Sequence, residues 1–284
     1  MQTPENLAEI LTLEPIEVNL FRGVSPNDGF PRIFGGLVIA QALTAAYQTV
    51  GDRVCHSLHA YFIRPGDVNA PVLYEVERAR DGGTFTTRRV AAIQHGEQIF
   101  NLAASFQTPE VGLEHQFEAP DVPAPETLPT EAEYLRSLGD QIHPKMLAFM
   151  ERPRPVDLRW IDPQNPVAPV KKSGEKQVWM RAVAPLGEDI RMQQAALAYA
   201  SDMAFMESAL RPHGLIWTTP GLQAASLDHA MWFHHPFDFN DWTLFSQDSP
   251  SASQGRGLVR GQMFSRDGKL VASVAQECLM RIRK

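Results

Sequence analysis

An acidic residue, Asp202, falls within an apolar stretch, MQQAALAYASDMAFMESAL, whose spacing predicts a helix. On that helix the residues three and four positions away are Ala198, Tyr199, Phe205 and Met206, so the carboxylate would lie along an apolar stripe. Burying an isolated ionised carboxylate is costly, and the group must gain hydrogen-bond donors or become neutral. Either outcome makes the group chemically unusual; the alternative is an Asp that caps a local backbone group or sits at the edge of the stripe.

A second polar side chain, Gln276, interrupts an apolar face of a predicted strand, in which every second residue is apolar: Leu270, Ala272, Val274, Cys278 and Met280. A buried glutamine has two donors and two acceptor sites to satisfy, so it either braces the backbone or holds a polar ligand. Ser226, in AASLDHAM, is an ordinary residue at the start of a strand. Its hydroxyl gains significance only if the fold brings it to the other two side chains.

The elements that must position these residues belong to an internal repeat. EVNLFRGVSP recurs as QVWMRAVAP, with a displacement of 159 residues from Pro26 to Pro185. SLHAYFIRP recurs as AMWFHHP, with a displacement of 171 residues from Pro65 to Pro236. Each copy contains one apolar helical stretch, at 34–50 or 192–210, followed by strand-like stretches suited to an antiparallel sheet. A helix packed on such a sheet buries both apolar faces in one core.

The first copy serves as an internal control for the three polar residues. If the fold itself required them, both copies should contain them. The displacements place different residues at the corresponding positions: Gln41 or Ala42 near Asp202, Cys55 at Ser226, and Ser105 at Gln276. The sequence therefore predicts a single functional site in the second copy.

The repeat also predicts how the chain is divided. We expect a first repeat over 1–115, a proline-rich linker over 116–175 that contains one helix near EAEYLRSLGDQI, and a second repeat over 176–284. Prolines recur in the linker in APDVPAPETLP, ERPRPVDL and DPQNPVAP. Residues that carry the chemistry would all lie in the second repeat.

Composition excludes several classes of protein. A net charge of -7 gives no electrostatic reason to bind nucleic acid, and no apolar run approaches the roughly 20 residues of a membrane span. MQTPENLAEILTLEP lacks the features of a secretory signal, so we expect cytoplasmic residence. Cys55 and Cys278 lack metal-ligand spacing. His229, His234 and His235 lack an accompanying acidic cluster, and we expect neither a metal nor a cofactor.

The residues discussed above lie in motifs that resemble the acyl-CoA thioesterase II family over nearly the whole chain: LFRG, FGG, SLHAYFIRPGD, RRVAAIQ, YASDMAF, LDHAMWFH and VAQECLMR. The resemblance implies an α+β double hotdog, in which two helix-on-antiparallel-sheet repeats form a continuous sheet. It also implies a catalytic trio, which falls on Asp202, Ser226 and Gln276. Ser226 stands where the bacterial pattern often has Thr, so the hydroxyl is kept and a methyl is lost. The family's assemblies imply a homo-oligomer, a dimer or a tetramer.

The implied reaction is hydrolysis of medium- or long-chain fatty acyl-CoA by an activated water, which the trio would hold while Asp202 accepts its proton. Backbone N–H groups at Gly35 and Gly36, or near Arg191 and Met192, are candidate donors to the carbonyl oxygen. The remaining candidate substrate-binding residues are basic side chains that could meet CoA phosphates, with one histidine: Arg64, Arg88, Arg89, Arg260 and His59.

Two other readings stay open. A hotdog enoyl-CoA hydratase would use an Asp/His pair, and the adjacent Asp228 and His229 offer one. A non-enzymatic acyl-CoA-binding module would keep the cavity without turnover. The sequence lacks a G-x-S-x-G elbow, which argues against a serine α/β-hydrolase.

Overall fold

The computed structural model describes residues 6–26 and 29–283. Residues 1–5, part of the N-terminal stretch discussed above, lie outside the described residues. Among the helices that are described, none has the length and apolar character needed to cross a membrane.

The helices of the described chain differ greatly in burial. The six α-helices are α1 (Leu7–Leu11), α2 (Gly35–Tyr47), α3 (Glu131–Ser137), α4 (Pro144–Met150), α5 (Ile190–Ser201) and α6 (Glu207–Leu210). Helix α2 is apolar around its whole circumference, GGLVIAQALTAAY, and 11 of its 13 residues are buried, as expected for a helix enclosed by other elements. Helices α2 and α5 pack against each other in one hydrophobic core.

One large antiparallel sheet contains the strands. They are β1 (Glu14–Glu17), β2 (Leu20–Gly23), β3 (Val54–Phe62), β4 (Val72–Asp81), β5 (Phe85–Gln94), β6 (Glu97–Gln107), β7 (Val156–Trp160), β8 (Lys176–Ala182), β9 (Leu222–Ser226), β10 (Asp228–Phe233), β11 (Thr243–Ser253), β12 (Arg256–Ser265) and β13 (Leu270–Ile282). The strand order is β1-β2-β4-β5-β6-β3-β10-β13-β12-β11-β8-β7, with β9 paired to β13. This order reads alike from the centre outward in both directions, which confirms the continuous sheet of two repeats.

The two repeats join where β3 pairs with β10. His59 lies opposite Ala230 in this antiparallel pair, and the two residues are displaced by the same 171 positions as Pro65 and Pro236. The pair therefore marks the centre of an approximate twofold relation between the repeats. The junction brings the N-terminal end of α2 next to the C-terminal end of α5.

Sheet register corrects the alignment of the first repeated segment. Arg22 lies opposite Leu73, and Trp179 lies opposite Leu244, which follows Leu73 by 171 residues. The structural counterpart of Arg22 is therefore Trp179, displaced by 157 residues, and not Arg181. The helix ends also correct the residue that corresponds to Asp202. The C-cap of α5 is Asp202 and the C-cap of α2 is Gln48. The first repeat still has no carboxylate at the corresponding position.

The helix expected over 192–210 is wrong beyond its third turn. Helix α5 ends at Ser201, and Asp202 is its C-cap. The chain then turns through Ala204, which has a φ of 58°, before the short helix α6. Helical spacing beyond the cap does not apply, so Asp202 is positioned by the end of a helix and not by its face.

The predicted linker holds more structure than one helix. Helix α3 begins with a capping box, in which Thr130 and Glu133 bond to each other's backbone N–H groups. Strand β7 also lies in this segment and pairs with β8 at the edge of the sheet. An edge strand this short gives little periodicity to detect. The boundaries 1–115, 116–175 and 176–284 stay a prediction.

Close approach of α2 and α5 requires glycine at the start of α2. A Cβ at Gly36 would collide with the Tyr199 carbonyl oxygen and the Phe34 ring. We expect Gly36→Ala to lower the free energy of unfolding by about 1–3 kcal/mol through overpacking, despite a gain in helix propensity of about 1 kcal/mol. Denaturant unfolding measures the difference.

The matched control is Gly83→Ala, since a Cβ at Gly83 would meet no heavy atom within 4 Å. The control should change stability by no more than about 0.5 kcal/mol. Equal stability of the Gly36 variant and the wild type would contradict the packing argument.

Candidate active site

The Asp202 carboxylate lies at the N-terminus of a helix from the other repeat. Phe34, the N-cap of α2, provides no side-chain hydrogen bond to the first turn. The Gly36 N–H instead donates to Asp202, and a Cβ at Gly35 would lie 2.7 Å from Asp202 Oδ2. Asp202 thus caps α2 from outside it, where the helix dipole favours negative charge.

Burial dominates the acid–base behaviour of this carboxylate. Loss of water contact raises the pKa of Asp202 to about 7, against hydrogen bonds from Gln276, Gly36 and Ser226 that lower it. Burial destabilises the charged form, and the three donors restore part of that stability. A carboxyl group that titrates near neutrality is ready to act as a general base at physiological pH.

The structure brings the other two members of the predicted trio to this carboxylate. Ser226 Oγ lies 3.4 Å from Asp202 Oδ1 as a donor, and Gln276 Nε2 donates to Ser226 Oγ at 2.9 Å. Strands β9 and β13 hold this geometry because Ser226 lies opposite Cys278, two residues beyond Gln276. Asp202, Ser226 and Gln276 all line one cavity.

Sequence reasoning missed a positioning residue, His229. It is fully buried, with Nδ1 2.6 Å from Gln276 Oε1 and Nε2 2.9 Å from Ser201 Oγ. Burial lowers the pKa of His229 to about 4, so the ring is neutral near pH 7. An amide oxygen only accepts, so Nδ1 carries the proton and Nε2 is an acceptor. The single Ser201 hydroxyl proton lies within reach of both this nitrogen and the Ala198 carbonyl oxygen.

This hydrogen-bond chain fixes the orientation of the Gln276 amide. With Oε1 occupied by His229, the Gln276 NH₂ group must face Ser226 and Asp202. The sequence contained a signal, because His229 alternates in phase with Met231 and Phe233, which are buried. A histidine in that phase points into the core.

The cavity has a volume of about 1090 Å³, at the upper limit of common ligand pockets of roughly 300–1,000 Å³. Its wall is mainly apolar and includes both repeats. The first repeat contributes Val38, Phe62 and Phe100, and the second contributes Met203, Phe205 and Met206. The carboxylates of Glu131, Asp202 and Glu207 line this mainly apolar cavity, and Asp202 is the one that lies beside Ser226 and Gln276. Such a cavity suits a substrate with a long apolar part and one reacting polar group.

The candidate substrate-binding residues are not all at this cavity. Gly35 and Arg64 line it, and Arg64 is paired with Glu97. Gly36 lies one residue further along α2, where its N–H donates to Asp202. His59 is exposed on the opposite face of the sheet, where its ring contacts Trp232.

Three arginines that were expected to bind CoA phosphates, Arg88, Arg89 and Arg260, lie away from the cavity. The Arg88 side chain is buried against Asp81 and donates to Thr49 and to backbone carbonyls, so its donors are already used. Arg89 and Arg260 are exposed and pair with neighbouring-strand carboxylates at Glu77 and Asp248. The cavity wall includes none of these three arginines, and it does not include His59.

The residue pair that supported a hydratase is split by the sheet. Asp228 accepts a hydrogen bond from the Glu277 N–H, whereas His229 points to the opposite face and bonds Gln276. Neither lines the cavity. No cluster of His, Cys, Asp or Glu suited to a metal ion occurs among the residues that the structure describes.

Comparison with known proteins agrees with the fold. A model of the family described as "Acyl-CoA thioesterase" matches residues 148–279, and one described as "Acyl-CoA thioesterase N-terminal domain" matches residues 25–107. Acyl-CoA thioesterase 2 of Haemophilus influenzae is 42% identical over 277 residues, which are 97% of each chain. Human acyl-coenzyme A thioesterase 8 is 40% identical over 284 residues, covering 96% of this chain and 88% of the human protein.

Solved structures agree as well. The acyl-CoA thioesterase II TesB2 from Mycobacterium marinum superimposes with a TM-score of 0.80 at 42% sequence identity, over 98% of this chain and 99% of that one. Identity at this level over nearly the full length, together with both family models, shows that this chain belongs to the acyl-CoA thioesterase family.

Proposed function

We propose that this chain hydrolyses medium- or long-chain fatty acyl-CoA to a free fatty acid and CoA, with a water molecule as the nucleophile. The observation that carries the proposal is the position of the Asp202 carboxylate at the edge of a large apolar cavity, beside Ser226 and Gln276. Burial there raises the pKa of Asp202 to about 7. The cavity volume accommodates an extended acyl chain. Cytoplasmic residence and a homo-oligomeric state, dimer or tetramer, belong to the same proposal, and sedimentation in solution tests the latter.

Asp202 is the general base of the proposed reaction. Its ionised carboxylate accepts a proton from water while the water oxygen attacks the thioester carbonyl carbon. The tetrahedral intermediate then loses the C–S bond, and the proton on Asp202 passes to the departing CoA sulfur. The base is ionised again at the end of each turnover, and no covalent acyl-enzyme forms.

Gly35 is the proposed donor to the carbonyl oxygen as negative charge develops there. Its N–H has no acceptor among the described residues, because the first backbone bonds of α2 come from Leu37 and Val38 to Phe34. Gly35 lines the cavity beside Asp202. The positive end of the α2 dipole adds to the stabilisation of an oxyanion at this position.

Ser226 and Gln276 are proposed to orient the attacking water. The Gln276 amide donates to Ser226 Oγ, and Ser226 donates to Asp202 Oδ1. These bonds hold one side of the carboxylate, while its other side faces the cavity. A water bound there is within reach of both the base and the substrate carbonyl.

Thiol release from palmitoyl-CoA by the purified chain tests the function. We expect steady release by the wild type, and a loss of kcat on the order of 10³-fold in Asp202→Asn, because an amide cannot accept the proton. Crotonyl-CoA supplies the comparison with a hydratase, through the absorbance of its double bond. No thiol release from palmitoyl-CoA, or full activity in Asp202→Asn, would overturn the proposal.

The same variant has a stability readout that shows whether it is folded. Since the folded-state pKa of Asp202 is raised to about 7, this group binds its proton more tightly in the folded than in the unfolded chain. Its contribution to stability therefore falls as pH rises from about 4 to about 7, then stays constant. Asp202→Asn should match the wild type near pH 4 and exceed it by about 4 kcal/mol at pH 8, since about three pKa units correspond to roughly that difference.

The pH dependence of kcat/KM tests the state of the base separately. The reaction needs ionised Asp202, so log kcat/KM should rise with a slope near one below pH 7 and level off above it. A profile that is flat down to pH 5 would mean that the essential base titrates as an ordinary aspartate. The Asp202→Asn residual rate, measured over the same range, serves as the baseline.

His229 has a test that separates positioning from packing. His229→Leu should lower kcat by about tenfold or more with little change in KM, because the freed Gln276 amide can rotate. His229→Asn keeps an N–H near the position of Nδ1 and should recover much of that loss. If both variants lose activity equally, in proportion to lost thermal stability, His229 serves only packing.

A further inference from the structure

Two loops of the cavity wall meet through the aromatic rings of Phe30 and Trp217, which are both exposed. We call this exposed part of the wall the mouth of the cavity. Phe30 precedes α2, and Trp217 precedes β9; their ring centroids lie 6.0 Å apart at an interplanar angle of 57°. Both residues line the cavity. The Trp217 side chain is nevertheless 50% exposed, so one face of a large flat ring is open to a ligand.

Two exposed arginines of the same cavity wall, Arg32 and Arg283, have no carboxylate partner among residues 6–26 and 29–283. Within the described chain, the Arg283 side chain donates only to the Gln223 side-chain oxygen, at 3.1 Å. The Arg32 side chain has no ion pair or hydrogen bond with any residue of 6–26 or 29–283. The other cavity arginines with known acidic partners, Arg64 and Arg154, are neutralised by Glu97 and Glu131. Unpaired positive charge at one opening of a chain with net charge -7 favours an anionic ligand there.

Strand β9 runs along the cavity wall from the mouth to Ser226, so its length gives the distance from the mouth to the reacting groups. All five of its residues, Leu222–Ser226, line the cavity. The Arg283 N–H bonds the Gly221 carbonyl just before β9, and Ser226 at the other end reaches Asp202. Four residue steps of extended strand span about 13 Å.

The chemistry of CoA matches this length. The pantetheine arm between the diphosphate and the sulfur has about twelve bonds, equivalent to roughly four residues of extended chain. A thioester placed at Asp202 therefore brings the phosphates to the level of Arg283, at the far end of β9. Arg32 follows Phe30 by two residues, and the Phe30 ring contacts Trp217.

We propose that Arg32, Arg283 and Trp217 form a binding site for the adenosine 3′,5′-bisphosphate end of CoA, in which the arginines pair with phosphates and Trp217 stacks on the adenine. The proposal rests on the proposed function, since it names how the same substrate is held at its far end. It assigns to these residues the phosphate contacts that the buried or paired Arg88, Arg89 and Arg260 do not offer.

The test compares two substrates that share one acyl group. Octanoyl-CoA contains the nucleotide, and octanoyl-N-acetylcysteamine lacks it. Arg32→Ala and Arg283→Ala should each raise KM for octanoyl-CoA by about 3- to 30-fold, because a solvent-screened charge contact is lost. Their kcat/KM for the truncated thioester should stay within about twofold of the wild type, since it touches neither arginine.

Binding of adenosine 3′,5′-bisphosphate itself tests the site without turnover. Calorimetric titration should show saturable binding to the wild type, weakened by added salt, and weakened by about 5-fold or more in Trp217→Leu but little in Trp217→Phe, which keeps a ring for stacking. The matched control is Arg78→Ala: Arg78 is an exposed arginine that donates to Asn19, away from the cavity. That variant should behave as the wild type with both substrates and in binding.

The outcomes are distinct. Equal effects of the arginine variants on the two thioesters, or nucleotide affinity unchanged in Arg32→Ala and Arg283→Ala, would overturn this site while leaving the hydrolase intact. A chain that cleaves neither thioester would overturn the proposed function, and the nucleotide titration would then decide the site by itself.

Discussion

The site depends on one interaction, in which a carboxylate at the end of α5 caps the start of α2. The Gly36 N–H donates to Asp202, and only glycine lets the two helices approach closely enough for that bond. Each repeat supplies half of the arrangement: the acid comes from the second and the helix N-terminus from the first. In the proposed mechanism the base and the open Gly35 N–H come from different repeats, so the site needs both repeats in one sheet.

The approximate symmetry of the fold is broken by how the helices are capped. Helix α5 is capped by its own Asp189, whose side chain accepts from the Arg191 N–H. At that end of the helix pair, Tyr47 and Gln194 bond each other, and Gln194 also donates to the Cys55 carbonyl. Neutral, satisfied groups fill the space. Helix α2 lacks a side-chain cap of its own, so its first N–H groups are available to a carboxylate and to a developing oxyanion.

Two features of the sequence predicted the fold and the site: the internal repeat, and polar residues in apolar surroundings. Two copies of a helix-and-strand pattern predicted the sheet, and Asp202 and Gln276 stood out because burial makes an isolated polar group costly. The sequence did not predict that α5 ends at Ser201. The Asp202 side chain accepts from the first turn of α2, and local spacing cannot reveal a contact with a distant helix. Arg88 shares the inward phase of Thr86 and Val90, so alternation along β5 could have excluded it from surface phosphate binding. Arg32 and Arg283 are more than 250 residues apart in sequence, and only tertiary folding places both in the wall of one cavity.

In the proposed mechanism, burial at the helix junction sets the proton affinity of the Asp202 carboxylate. The most direct measurement is a ¹³C NMR titration of the protein labelled at aspartate side-chain carboxyls, with Asp202→Asn used to assign the resonance. A midpoint near pH 7 for the Asp202 resonance agrees with the geometry of the junction. A midpoint near pH 4, the ordinary value for a solvated aspartate, would show that the carboxylate is not held as described and would remove it as the base.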